Sequence, residues 1–146
     1  MMFDAEVFKT MIKERSSYDP NDDFAVEALW ERMVVLVSSD LEGAIHYIRN
    51  YITNEELYWF SEAFDQIVEK TQSLEFLEAV LDAAGRISDF DERNNILMDV
   101  SYATGYFIND DDDTIRNHIF KLQKDRFDYY CEVRRPEFII NEKKEP

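Results

Sequence analysis

Between Thr53 and Glu78 the chain reads TNEELYWFSEAFDQIVEKTQSLEFLE, and apolar side chains recur there every three or four positions. Leu57, Phe60, Phe64, Ile67 and Val68 fall on one stripe of a helix. Thr53 is placed to cap that helix, and Glu56 stands three residues later to close a capping box. Thr71, Gln72 and Ser73 interrupt the period, and Ser73 can cap a second helix carrying Phe76, Leu77, Val80 and Leu81. The spacing therefore predicts one long helix, a tight corner and the start of the next helix. Only three Gly and three Pro occur in 146 residues, so hairpin turns for a sheet are scarce and helices joined by short loops are favoured.

The same period runs through most of the chain. Asp4 to about Glu14 carries Val7, Phe8, Met11 and Ile12 on one side. Asp22 or Asp23 caps a helix to about Val37, whose apolar set (Val26, Leu29, Trp30, Met33, Val34, Leu36, Val37) covers more than half its circumference. A helix that apolar is expected at the centre of a fold. Ser39 with Glu42, and Asp89 with Glu92, read as further capping boxes. The Ser73 helix ends near Ala84, with Gly85 placed for the left-handed conformation after it. Ile96, Leu97, Val100, Ala103 and Phe107 form the next stripe, and Ile115, Ile119, Leu122 and Phe127 another. The expected fold is all-α: one domain over residues 1–146, a bundle or short stack of about seven antiparallel helices arranged as hairpins. Phe138, Ile139 and Ile140 make a last apolar patch, within a frayed tail over residues 134–146.

The formal charge is -16, and it is uneven. Residues 1–120 hold 26 acids and 9 bases, whereas residues 121–146 hold 6 and 7. Such a body repels phosphate backbones and anionic membranes, so nucleic-acid and membrane partners are not expected. It attracts a basic protein and raises the rate of encounter with it; the plainer account is that the acids only keep the chain soluble. Cys131 is the lone cysteine, which suits a reducing cytosol, and the N-terminal residues lack the pattern of a signal peptide. A cytoplasmic location is expected.

No motif for catalysis, metal or cofactor emerges. A calcium loop opening at Asp110 would need Gly and Glu where Ile115 and Lys121 stand. His46 and His118 have no metal-ligand spacing, and nothing marks Cys131 as activated. One helix face does suggest binding. Trp59 points away from the Leu57–Phe64 stripe and shares its side with Glu55, Glu62, Gln66 and Glu69. Either Trp59 packs into a second layer of the same domain, or it is an aromatic anchor framed by acids.

Residues 45–81 carry an EL-x-W opening (Glu56, Leu57, Trp59), then SE-x-FD-x-I (Ser61, Glu62, Phe64, Asp65, Ile67), then EKTQS from Glu69 to Ser73. In these motifs the chain resembles the all-helical immunity proteins of bacterial contact-dependent growth inhibition and related polymorphic-toxin systems. The resemblance implies a protein that binds and neutralises one cognate toxin, commonly a basic nuclease domain, with no catalysis of its own. The alternative is a helical adaptor for another basic protein. The residues expected to touch the partner are Asp110, Asp111, Asp112, Asp113, Glu55, Trp59, Glu62 and Glu69.

Overall fold

The computed structural model describes residues 3–129. Cys131, the Phe138–Ile140 patch and the tail at 134–146 lie outside the described residues. Eight α-helices follow in order: α1 (Ala5–Ser17), α2 (Asp23–Ser39), α3 (Leu41–Asn50), α4 (Asn54–Phe60), α5 (Phe64–Thr71), α6 (Leu74–Ala84), α7 (Phe90–Ala103) and α8 (Thr114–Phe127). Three-residue 3-10 segments occupy Ser61–Ala63 and Thr104–Tyr106. The Ser61–Ala63 segment joins α4 to α5, so the all-α chain forms seven helical rods, and no strand occurs among the described residues. No helix among them is long and apolar enough to cross a membrane.

The caps are written in short polar side chains. Asp4 accepts the Glu6 and Val7 N–H groups at the start of α1, and Asp22 accepts that of Ala25 in α2. At α4 the Glu56 N–H donates to Thr53 Oγ1 at 3.1 Å and the Thr53 N–H to Glu56 Oε1 at 3.0 Å, closing the capping box. Glu56 also accepts the Tyr47 hydroxyl at 2.8 Å, so this buried carboxylate ties α3 to α4. Ser73 accepts the Phe76 N–H, and Asp89 that of Glu92.

Four expectations are corrected. The predicted long helix breaks at Ser61–Ala63, where Ser61 Oγ donates to the Tyr58 carbonyl at 2.6 Å. A serine that bonds back to the preceding turn competes with the helical ladder, and the tighter 3-10 turn follows. The stripe survives the break: Phe60, Ala63, Phe64, Ile67 and Val68 are all in the core. Asp40, not Ser39, caps α3. Ser39 closes α2 by donating to Leu36 O, while the Asp40 carboxylate accepts the Gly43 N–H at 3.1 Å and the Phe3 N–H at 2.6 Å. Gly85 is right-handed (φ -62). Left-handed caps stand at the ends of other helices, Gln72 (φ 51) after α5 and Asp128 (φ 50) after α8, and the Gln72 side chain clasps Tyr106 O and the Ile108 N–H.

Last, α2 is not central: it packs on α1, α3 and α5, and Phe24 and Val35 stand out in solvent. The innermost helix is α6, which packs on α3, α7 and α8 and buries Phe76, Leu77, Ala79, Val80, Leu81, Ala83 and Ala84. Around its start, Phe8, Phe60, Phe64 and Phe76 meet edge to face, with centroids 5.0 Å (Phe8–Phe60), 5.5 Å (Phe60–Phe64) and 5.7 Å (Phe64–Phe76) apart.

Removing one of these rings leaves a cavity in a closed site. Phe64→Ala is expected to lower stability by about 3–5 kcal/mol in urea unfolding. Val35→Ser, on the exposed face of α2, should stay within about 0.5 kcal/mol of the parent.

Candidate functional site

The acids are distributed in two different ways over the surface. On α6, Glu75, Glu78 and Asp82 form one row, and each meets a base from a neighbouring helix. Arg49 of α3 reaches Glu75 and Asp82, both at 3.1 Å, while Arg126 of α8 reaches Asp82 at 2.8 Å and His118 reaches Glu78 at 3.0 Å. Arg86 donates to the carbonyls of Arg49 and Ile48, closing the C-terminal end of α3. These charges fasten helices together.

The surface made by α2, α5 and α7 differs. Glu27 and Glu31 of α2, Asp65 and Glu69 of α5, and Asp99 of α7 have no ion pair among the described residues. Asp65 and Asp99 are half-buried side by side. Burial, and for Asp65 the neighbouring Asp99 charge, raises both carboxyls above their ordinary range. The Glu62 charge adds to the rise at Asp99. The Asp65 charge, then burial and Glu69, pushes the Tyr106 phenol up. Exposed Tyr102 and Tyr106 stand on the same α7 end, and Phe24 and Val35 stand on α2. This face therefore combines uncompensated negative charge with exposed aromatic and aliphatic side chains.

The residues expected to touch a partner are distributed unequally. Asp110 is only 3% exposed and accepts the Ile115 and Arg116 N–H groups at 2.8 and 3.1 Å. It caps α8 from three positions before the left-handed Asp113 (φ 55) that immediately precedes the helix. Asp111 and Asp112 are exposed at the loop tip, as is Glu55 at the start of α4. Glu62 is a structural link: the Arg15 guanidinium grips it through two bonds of 2.7 and 3.0 Å, and the Trp30 indole N–H donates to it at 3.2 Å. Trp59 is half-buried with the Arg15 guanidinium carbon 4.7 Å above its ring. It packs in a second layer, the plainer of the two alternatives, because α1 covers that side of the helix. Of that set, Glu69 lies on the α2–α5–α7 face with no ion pair among the described residues.

Sequence reasoning missed Glu27, Glu31, Asp65, Asp99 and the outward stripe of α2. The signal was present in the alternation of Phe24, Ala28, Glu31 and Val35 at helical spacing, but an apolar residue on a helix declares no direction until its neighbours are placed.

The two histidines are engaged locally, His46 with Asn50 Nδ2 at 3.2 Å and His118 with Glu78, and Cys131 lies outside the described residues. Phe3, Tyr47 and Tyr51 line a separate hollow near Asp40, whose carboxylate is already taken by two backbone N–H groups. No group of three or more metal-ligating side chains occurs among the described residues. No protein-family model matches the chain, no curated protein matches it, and no solved structure matches it.

Two stability measurements separate the structural acids from the free ones. Asp110→Ala should cost about 0.5–2 kcal/mol as a lost helix cap, whereas Asp111→Ala should be close to neutral in the same urea titration. Asp99→Asn should raise the melting temperature at pH 7. Because burial makes Asp99 a weaker acid in the folded state, with its pKa raised, its ionised form opposes folding above that raised range, and the opposition fades as pH falls through it. The advantage of the variant should therefore shrink towards pH 4, as followed by thermal melts across that window.

Proposed function

We propose that this protein is an immunity-type inhibitor that binds and neutralises a basic, nuclease-type toxin domain. The observation that supports the reading most is the gathering of unpaired carboxylates (Glu27, Glu31, Asp65, Glu69, Asp99) on the α2–α5–α7 face beside exposed Phe24 and Val35. A surface of this kind steers a positively charged protein into contact, and its apolar side chains then hold the complex. The half-buried pair Asp65 and Asp99 fits the same reading. Two like charges kept close together oppose folding, and a cationic side chain laid between them would relieve that repulsion. A nuclease domain must bind polyphosphate and so offers cations, and covering them removes its substrate site without any chemistry by the inhibitor.

Co-expression with the product of the adjacent gene tests the proposal. The expected result is a stable complex and restored growth in cells that the partner alone arrests. A basic partner that binds but is not toxic would favour an adaptor, and absence of binding to any neighbouring toxin domain would count against the whole reading. In the complex, Glu27→Lys with Glu69→Lys should slow association at low salt by about tenfold or more, with little change in folding stability. Equal association rates for variant and parent in stopped-flow mixing would remove this face from the interface.

A further inference from the structure

We infer that the groove between α2 and α5 seats an amphipathic helix of the partner, with apolar side chains turned into the groove and Lys or Arg along its edges. This rests on the reading of the protein as a binder of a basic partner and says which part of that partner is grasped.

The inference starts from the two sides of α2. Leu29, Met33 and Val37 enter the core. Phe24, Ala28, Glu31 and Val35 follow one another at intervals of four, three and four, so they form a single outward line about 16 Å long. Phe24 is 89% exposed and Val35 is 65% exposed. Glu31 and Val35 stand on a crest shared by two grooves, one against α1 and one against α5.

Charge distinguishes the two. The groove against α1 has Arg32 on its wall, and Arg32 is bonded to Glu14. The groove against α5 encloses about 660 Å3, with Trp30 and Val34 as apolar lining. Glu27 and Glu31 rise on its α2 wall and Glu69 on its α5 wall, against a single cation, Lys70. None of the three carboxylates has an ion pair among the described residues.

The shape and the charge together select the occupant. A trough between two helices that pack along one another accepts a third rod, the helix-in-groove mode of recognition. An extended peptide binding by strand addition would need a sheet edge, and no strand occurs among the described residues. A second copy of this chain would bring the same carboxylates against each other, in a molecule of net charge -16. A helix with an apolar line flanked by cations meets both features at once.

The test uses the full chain, labelled for NMR, and two peptides of about fourteen residues, roughly 21 Å long as helices. Both contain only Lys and Leu in equal proportion. One places Leu at helical amphipathic spacing and the other scatters the same residues. The amphipathic peptide should shift the resonances of Glu27, Glu31, Val35, Gln66 and Glu69. It should bind at least about tenfold more weakly to Val35→Asp and to Glu69→Lys, both exposed positions at which the fold is not at risk. Equal binding of the scattered peptide would reduce the effect to bulk charge and overturn the inference. Shifts confined to other helices would overturn it as well. So would a concentration-dependent dimer, seen by light scattering, that Val35→Asp dissociates. If the peptide fails while the intact partner still binds in a manner sensitive to Glu27→Lys, the helix groove is wrong and the basic partner stands. Loss of both removes the two together.

Discussion

The edge-to-face contact of four phenylalanines holds the remaining helices in place. Phe8 of α1, Phe60 of α4, Phe64 of α5 and Phe76 of α6 are each at most 1% exposed, and they bring four helices to one point. Rings in this geometry gain from the attraction of edge to face as well as from burial. The contact follows helical spacing: positions 60, 63, 64 and 67 are the i, i+3, i+4 and i+7 places of one stripe, and the 3-10 segment at Ser61–Ala63 keeps all four in the core. Ser61 opens that segment and donates to the Tyr58 carbonyl.

Once the rings fix the helices, the charges acquire distinct roles. Acids on α6 face bases on α3 and α8, and Glu62 faces Arg15 and Trp30, so these carboxylates hold the structure together. The acids on α2, α5 and α7 have no such partners among the described residues, and Asp65 and Asp99 repel each other in half-buried positions. That repulsion leaves a face whose electrostatic free energy falls when positive charge is brought against it.

Much of the fold was legible before any coordinates, and the reasons are local. Thr53 with Glu56, and Ser73 with Phe76, are contacts three residues apart, and their chemistry is visible in four letters of sequence. The burial of Phe64, Ile67 and Val68 follows from their spacing. Where two neighbouring residues competed for one task, the choice lay elsewhere. Asp40 displaced Ser39 as the α3 cap because its second oxygen also binds the Phe3 N–H, 37 positions away. At the end of α5, Gln72 is left-handed and its side chain bridges to Tyr106 and Ile108. Neither bond can be read from its own neighbourhood.

The candidate surface was legible only in its ingredients. The sequence by itself determined that the chain is helical, strongly acidic and rich in apolar stripes, since helix period, capping and charge depend on residues within a turn or two of each other. Tertiary structure alone decided which acids are spent on Arg15, Arg49 or Arg126 and which remain uncovered, and it turned Trp59 inward and Phe24 outward. The physical reason is that a side chain's partner is fixed by how rigid helices pack, and that packing is settled by rings brought together from positions 8, 60, 64 and 76 of the chain.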